Sequence, residues 1–212
     1  MTQSHTGLLL TFEGGEGGGK TTQIAWLKER LADAGKEVLV VREPGGTVIS
    51  EKVREILLDK KNNQLDFIAE VLLFQAARAQ IYSEIVLPAL HKEAIVLMDR
   101  SRDSSVVYQG VVREMGVELI ENLNKISTKD TYPDMTILLD VDAEIGLHRV
   151  EEGGKPNRFE AQGVEFHKRV SQAYKQLASA DKSGRWRVID ANQPLEQVEA
   201  EIWRVVSSAL SL

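Results

Sequence analysis

A glycine-rich loop near the start of the chain restricts its possible folds more than any other feature. Residues 14–21 read G-G-E-G-G-G-K-T, the spacing G-x-x-x-x-G-K-T of a phosphate-binding loop. The apolar run at 8–12 predicts a buried parallel strand before the loop. Ile24, Leu27 and Leu31 have the spacing of a helix after it. This order predicts a nucleoside triphosphate site, because loop N–H groups and the helix N-terminus converge on phosphate oxygens.

Four side chains could act on the phosphates and on a metal ion. Lys20 would reach the outer phosphates, and the Thr21 hydroxyl can bind Mg²⁺. Asp99 and Arg100 follow the apolar run 95–98, where the carboxylate would hold Mg²⁺ and the guanidinium would bind phosphate oxygens. A structural salt bridge is the alternative for this pair. We expect Mg²⁺ as the metal, with Thr21 and Asp99 as its ligands.

Composition restricts the class of protein. A length of 212 residues suits a single domain over 1–212, and the lack of cysteine excludes disulfides and thiolate metal sites. A net charge of −6 argues against a surface that coats nucleic acid. The sequence shows neither a secretory signal nor an apolar run of membrane length. We therefore expect a cytoplasmic protein without nucleic-acid or membrane partners.

Strand and helix patterns alternate along the chain. Apolar runs at 8–12, 38–41, 95–98, 135–141 and 186–189 are separated by segments with helical spacing. The alternation predicts an α/β fold, a P-loop NTPase-like parallel sheet of about five strands with helices on both faces. Ligands of such sheets bind beyond the carboxyl ends of the strands. Arg42 and Glu43 follow the second strand, and Asp99 and Arg100 follow the third, so we expect all four at this edge.

One polar segment interrupts the alternation. Residues 151–158 read E-E-G-G-K-P-N-R and lie between two helical segments. The glycines and the proline predict a mobile surface loop, and we expect a lid over about 151–162. A connector without function is the alternative.

Two residue pairs have the chemistry to bind a nucleobase. Phe74 and Arg78 are four residues apart on one predicted helix, so the ring could stack on a base while the guanidinium donates to it. Ser105 and Gln109 have the same spacing and could contact a base edge. Packing and surface exposure are the alternatives for both pairs. Arg54 alone fits a solvated position on a helix.

The motifs together resemble those of a known family. They read F-E-G-x-E-G-x-G-K-T-T at 12–22, R-E-P-G-G-T at 42–47, L-F-x-A-x-R at 73–78, D-R at 99–100, D-S-S at 103–105, Y-Q-G at 108–110 and Y-P-D at 132–134. Nearly from end to end, the chain resembles the thymidylate kinases of the bacterial type. The resemblance implies a homodimeric enzyme that transfers the γ-phosphoryl of ATP to dTMP, giving dTDP and ADP for dTTP supply.

The resemblance assigns one set of residues to ATP. The loop residues on the triphosphate would be Gly14, Gly15, Glu16, Gly17, Gly18, Gly19, Lys20 and Thr21. Arg149 would lie against the adenine. Some relatives carry an arginine at the position of Gly17, and its absence resembles the class whose catalytic arginine belongs to the lid. Arg158 is the expected lid arginine, with Arg149 and Lys155 as alternatives.

A second set of residues would bind dTMP. By resemblance, Phe74 would stack on thymine and Arg78 would bind its 4-oxo group. Arg54 and Arg100 would bind the dTMP phosphate. Glu16 would approach the 3′-hydroxyl of the deoxyribose.

Three further residues would complete the dTMP site. By resemblance, Ser105 and Gln109 would lie near the base. Tyr108 would crowd the sugar, so that a ribose 2′-hydroxyl fits badly. The resemblance therefore implies discrimination on both base and sugar.

The chemistry of the implied reaction agrees with the residues available. Phosphoryl transfer depends on positioning and charge more than on covalent chemistry. The acceptor oxygen of a nucleoside monophosphate is already anionic, so no serine or histidine base is required. Lys20, Arg100 and Arg158 are the expected catalytic residues, because positive charge offsets the repulsion between two anions.

Three other functions compete with this interpretation. Another nucleoside monophosphate kinase would share the chemistry but bind a different base. A guanine-nucleotide switch needs an N-K-x-D base reader, whereas residues 124–127 read N-K-I-S without a clear preceding strand. An ATPase that acts on macromolecules is a third alternative, opposed by the acidic balance and by the lack of an ABC-type signature.

Overall fold

The computed structural model describes residues 6–153, 157–210 and 212. Within these residues five parallel strands form one sheet in the order β2-β3-β1-β4-β5. The strands are β1 Leu8–Glu13, β2 Val38–Arg42, β3 Ile95–Asp99, β4 Met135–Asp140 and β5 Trp186–Asp190. All five match the apolar runs of the sequence to within one residue at each end. The expected α/β fold with about five parallel strands is confirmed.

Nine α-helices connect and cover the strands in the described part of the chain. They are α1 Lys20–Asp33, α2 Val48–Leu58, α3 Phe67–Ile81, α4 Leu87–His91, α5 Arg102–Ser105, α6 Val117–Ser127, α7 Ala143–Glu152, α8 Val164–Ala180 and α9 Leu195–Leu210. Lys60–Asn62 forms a 3₁₀ turn, while Tyr82–Val86 and Val106–Val112 are π-helical. The π-helical turns join α3 to α4 and extend α5, so two longer helical segments result. No helix of these residues is long and apolar enough to cross a membrane.

Alternate side chains of the central strand pack against opposite layers. Leu10 and Phe12 of β1 belong to a buried cluster with residues of α1 and α9. Leu9 belongs to a second cluster with Ile81 and Tyr82, at the junction after α3. This period of two is expected for a strand with both faces buried. Helices therefore cover both faces of the sheet, as the sequence predicts.

Strand register brings three loops together at one edge. Phe12 of β1 and Arg42 of β2 are both paired with Asp99 of β3. Just beyond these pairs, the Arg100 N–H donates to the Phe12 carbonyl at 3.0 Å and the Glu43 N–H donates to the Asp99 carbonyl at 2.9 Å. The strands thus end at one level, which places the expected polar residues at the carboxyl edge of the sheet.

The segment expected as a loop at 151–158 is partly helical. Helix α7 continues to Glu152, and the Gly153 N–H still donates to the Arg149 carbonyl at 3.2 Å. Residues 154–156 lie outside the described residues. Beyond them, the Asn157 side chain accepts the Phe159 N–H at 2.8 Å. The lid boundaries at 151–162 therefore include the last turn of a helix, because the hydrogen-bond ladder of α7 runs past the last apolar residue.

Candidate active site

A cavity of about 510 Å³ opens at the carboxyl edge of the sheet, beside the loop that follows β1. Most of the predicted site residues line it, although they come from distant parts of the chain. These are Glu16, Gly17, Gly18, Gly19, Lys20, Thr21, Arg54, Phe74, Arg78, Asp99, Arg100, Ser105, Tyr108, Gln109 and Arg149. Gly14, Gly15 and Arg158 are absent from the lining.

The backbone of the glycine loop has a shape that suits glycine. Gly14, Gly17 and Gly19 have φ angles of 137°, 66° and 81°, a region that strains other residues. A Cβ atom on Gly17 would also overlap the carbonyl oxygen of Gly146 in α7. An arginine at position 17 would therefore not fit this arrangement, so positive charge must reach the loop from elsewhere.

Lys20 is folded back onto the loop. Its ammonium donates to the Gly15 carbonyl at 2.7 Å and to the Gly14 carbonyl at 3.3 Å. Burial lowers the pKa of Lys20, and the neighbouring Arg100 lowers it further, while Glu16 acts in the opposite direction. A phosphate oxygen is a stronger acceptor for an ammonium than a carbonyl is. The Lys20 ammonium is thus placed to exchange these carbonyls for a bound phosphate.

The two expected magnesium ligands lie next to each other. The Thr21 hydroxyl donates to Asp99 Oδ2 at 2.8 Å. Both offer oxygen atoms, the donor type that Mg²⁺ prefers, and Mg²⁺ in kinases takes its remaining ligands from water and phosphates. No cluster of three or more His, Asp or Glu residues that could hold a metal occurs in the described chain. The residues present fit a magnesium ion that arrives with a nucleotide.

Arg100 lies between the loop and the opposite end of the cavity. Its Nη2 donates to Glu16 Oε1 at 2.8 Å, and its Nη1 donates to the Gly14 carbonyl at 2.9 Å. The Tyr108 hydroxyl donates to the same Glu16 oxygen at 3.1 Å. Burial alone would raise the pKa of Glu16, but Arg100 and then Lys20 lower it to about 2. Arg100 itself has φ of 64°, a left-handed conformation that is uncommon for a residue other than glycine.

A buried glutamate, Glu13, supports the Arg100 loop from behind, and the sequence interpretation gave it no role of its own. One Glu13 oxygen accepts the Ser101 N–H at 2.8 Å. The other accepts the hydroxyls of Ser104 at 2.6 Å and Tyr174 at 2.7 Å. Burial, with the nearby charge of Asp103, raises the pKa of Glu13 to about 7. Its position between an apolar strand and the glycine loop is the sequence signal that could have identified it.

Arg78 forms the floor of the far end of the cavity and is buried. Its Nε donates to Glu43 Oε2 at 2.7 Å, and its Nη2 donates to the Ser101 carbonyl at 3.1 Å. Its Nη1 donates to Ser105 Oγ at 3.0 Å and to Asn124 Oδ1 at 2.9 Å. A guanidinium has five N–H donors. Four of them bond to described residues, so one N–H of Nη2 has no partner within this part of the chain.

Aromatic rings form the wall beside Arg78. Phe74 lies one turn before it on α3 and meets Phe159 edge to face, with ring centroids 5.8 Å apart. Phe159 also meets Tyr108 at 5.9 Å. Gln109 lines the same end of the cavity. A flat ring, a guanidinium donor and an amide thus converge as a nucleobase site requires.

Two further arginines are held by backbone carbonyls. Arg54 donates to the Pro44 carbonyl at 2.7 Å, and burial followed by the charge of Arg42 lowers its pKa. Arg149 donates to the carbonyls of Gly17 and Ala191, each at 3.3 Å. Arg54 is therefore held at the turn after β2, and Arg149 is held at the glycine loop.

Comparison with known proteins agrees with this geometry. The family model described as thymidylate kinase matches residues 12–202. The chain is 44% identical to thymidylate kinase of Deinococcus radiodurans, covering 95% of this chain and 97% of the relative. It is 41% identical to thymidylate kinase of Pelobacter propionicus, covering 97% and 96%. A crystal structure of thymidylate kinase from Ehrlichia chaffeensis superposes with a TM-score of 0.78 at 32% identity, covering 94% and 98%.

The chain belongs to the thymidylate kinase family. Membership makes it a phosphotransferase enzyme of the kinase class. It also decides against a guanine-nucleotide switch, as does the structure, since the N-K-I-S segment lies within α6 and not after a strand. The fold of the solved relative is the one observed here.

Arg158, the expected lid arginine of this chain, does not line the cavity. It is buried, its Nε donates to the Leu57 carbonyl at 2.7 Å, and its Nη1 is 2.8 Å from Glu70 Oε2. The sequence could not show that Glu70, 88 positions earlier, provides a buried carboxylate for it. A role at the transferring phosphoryl would require Arg158 to leave this partner. Lys155, the other alternative, lies outside the described residues.

Proposed function

We propose that this chain transfers the γ-phosphoryl of ATP to dTMP, producing dTDP and ADP. The observation that carries the proposal is that Arg78 lines the cavity with one Nη2 N–H that bonds to none of the described residues. An arginine can only donate, so this site suits the 4-oxo acceptor of thymine and opposes the amino group of cytosine. Phe74 beside it supplies a ring on which the base would stack.

The acceptor phosphate would lie between the two ends of the cavity. Arg100 and Arg54 line this middle part, and both are permanently charged forked donors suited to phosphate. Glu16 now accepts one N–H at the edge of the Arg100 guanidinium. When dTMP binds, its phosphate would share Arg100 with Glu16, and Glu16 would lie close enough to accept from the 3′-hydroxyl.

ATP would bind at the opposite end, on residues 14–21. Lys20 would donate to its outer phosphates. Thr21 and Asp99 would hold Mg²⁺, which neutralises charge on the phosphates when it is bound. Lys20 and Arg100 would then reduce the repulsion between donor and acceptor anions.

A further cation at the transferring phosphoryl would come from the lid side. Arg149 lines the cavity and touches the loop carbonyl of Gly17. Arg158 would contribute only after exchanging Glu70 for the phosphoryl group. We therefore place Arg149 first for this role, in place of the adenine contact that the resemblance implies for it, and keep Arg158 as the alternative.

We further propose a cytoplasmic homodimer. Exposed apolar side chains on α2, α3 and α6 support the dimer, because α3 packs against both other helices. The uncovered side chains are Ile49, Ile68, Leu72, Leu119 and Ile126. Light scattering at several concentrations tests it, and Leu72→Glu should shift the mass from two chains to one. A wild-type mass of one chain at all concentrations would contradict it.

The experiment for the proposed reaction is an ADP-release assay with a panel of acceptors. With ATP and Mg²⁺, kcat/KM should be highest for dTMP among dTMP, dCMP, AMP and GMP. Omission of Mg²⁺ should abolish turnover. Faster turnover of AMP, GMP or dCMP than of dTMP would contradict the proposed acceptor.

A further inference from the structure

The carboxylate of Glu70 lies behind the base end of the cavity. Glu70 is in the first turn of α3, fully buried, one turn before Phe74. Its Oε1 accepts from Gln109 Nε2 at 2.9 Å. Its Oε2 lies 2.8 Å from Nη1 of Arg158 and 3.7 Å from Nη2 of Arg113. Glu70 is not part of the cavity lining, so it can affect a ligand only through these neighbours.

The Glu70 carboxylate determines which way the Gln109 amide points. The guanidinium groups of Arg158 and Arg113 compensate its buried charge. An ionised carboxylate accepts hydrogen bonds and donates none, so Gln109 must turn its NH₂ group toward Glu70. The amide oxygen is then the free end, and no hydrogen bond to it forms within the described chain. Because Gln109 lines the cavity, this oxygen is the group that it offers to a base.

We propose that Glu70 is a positioning residue for base specificity, which fixes Gln109 as an acceptor beside the donor of Arg78. The inference rests on the proposed function and specifies which groups recognise the thymine base. Thymine presents a 4-oxo acceptor next to a ring N–H donor, which matches one donor and one acceptor. Cytosine presents an amino donor next to a ring nitrogen acceptor, which meets a like group at both positions. A Gln109 amide free to rotate would match the ring nitrogen of either base, which would leave Arg78 alone to discriminate against cytosine.

Glu70→Gln tests this role, because it keeps the side-chain shape but removes the acceptor-only character. Its neutral amide can turn either the oxygen or the NH₂ group toward Gln109. The Gln109 side-chain amide can therefore adopt either orientation. The ratio of kcat/KM for dTMP over dCMP should fall about tenfold or more, since a paired polar group gives strong discrimination. The change should appear mainly in KM for the monophosphate, with KM for ATP within about twofold. An unchanged ratio in a folded variant would overturn the proposal.

A second variant separates positioning from general damage. In the double variant Glu70→Gln with Gln109→Glu, the carboxylate at position 109 accepts from the new amide at 70 and still offers oxygen to the base. The dTMP over dCMP ratio should recover toward the wild-type value. A general packing defect would not be repaired in this way, so a ratio that stays at the level of Glu70→Gln would overturn the proposal.

The chain contains a matched control outside the site. Gln80 Nε2 donates to Glu84 Oε2 at 2.8 Å on the exposed surface of the same helical segment. Glu84→Gln removes the same kind of carboxylate–amide contact and should leave the base preference unchanged. An equal loss of preference in this control would show that the effect does not depend on Glu70.

A measurement on the wild-type protein keeps the proposal testable if Glu70→Gln does not fold. The side-chain NH₂ of Gln109, observed by NMR, should exchange slowly with solvent and stay protected when dTMP is added. Fast exchange, or a shift showing that this NH₂ donates to the base, would overturn the proposal. A wild-type enzyme with no preference for dTMP would instead refute the proposed function, which separates the two failures.

Discussion

Arg100 and Glu16 form an ion pair of 2.8 Å between the glycine loop and the acceptor end of the cavity, with both side chains only 16% exposed. The strained backbone of Arg100 and the buried support of Glu13 hold the guanidinium in this place. The ion pair keeps the Arg100 guanidinium oriented toward the middle of the cavity. It also gives Glu16 a carboxylate that stays ionised at any physiological pH, since its pKa is lowered to about 2.

The pH dependence of stability should report this pair. Because the pKa of Glu16 falls from 4.5 to about 2 on folding, its stabilising contribution is present above pH 4.5 and is lost as the pH falls toward 2. At about 1.4 kcal/mol per pKa unit, the contribution is about 3 kcal/mol. Urea unfolding from pH 7 to pH 2.5 should show a smaller acid-induced loss for Glu16→Gln than for wild type. Parallel pH curves for the two proteins would contradict the ion pair.

Removal of the loop ammonium should abolish most activity. Lys20→Ala should lower kcat by about a hundredfold or more, because one charged contact to the transition state contributes about 3–4 kcal/mol. Its bonds to the Gly14 and Gly15 carbonyls are local, so the melting temperature should stay near that of wild type. Steady-state kinetics and calorimetry check the two statements. Normal turnover in folded Lys20→Ala would exclude the role given to Lys20.

Substitution of Arg78 should weaken dTMP binding and stability together. Arg78→Ala should weaken the binding free energy of dTMP by about 1.5–3 kcal/mol, while ATP affinity stays nearly constant. It should also destabilise the fold by about 3–5 kcal/mol, because the buried Glu43 carboxylate loses its partner. Isothermal titration with each nucleotide checks the first effect, and Arg78→Met with Glu43→Gln should relieve the second. Equal loss of ATP and dTMP affinity would mean that Arg78 does not read the base.

Arg149 and Arg158 should differ in what their loss affects. Arg149→Ala should lower kcat more than tenfold, with little change in dTMP affinity, the pattern of a contact made in the transition state. Arg158→Ala should mainly lower stability, since Arg113 at 3.7 Å would then be the one cation near Glu70 among the described residues. Single-turnover rates and melting temperatures of both variants check this. An Arg158→Ala protein with normal melting and a greatly reduced rate would return the lid role to Arg158.

The sequence was most informative where spacing alone fixes geometry. The five strands follow from continuous apolar runs, the glycine loop from the spacing of its motif, and the shared face of Phe74 and Arg78 from the helical period. The contact of Thr21 with Asp99 followed from the rule that parallel strands end at one edge. These features require no knowledge of which distant side chains meet.

The sequence was least informative for buried polar partners. Arg158 was expected in a lid because glycine and proline precede it, yet its position follows from Glu70, a residue on another helix. The occupation of four Arg78 donors by protein groups could not be read from spacing either. Such pairings depend on tertiary contacts and on how each buried charge is compensated, which local patterns do not encode.

The most direct test of the proposed reaction follows the transferred group itself. Incubation of the protein with Mg²⁺, dTMP and ATP labelled with ³²P at the γ-position should place the label in dTDP, in equal amount to the ADP formed. Loss of the label from ATP should depend on dTMP and should be slow without it. Label found only in inorganic phosphate, or transferred to AMP, GMP or dCMP faster than to dTMP, would contradict the account.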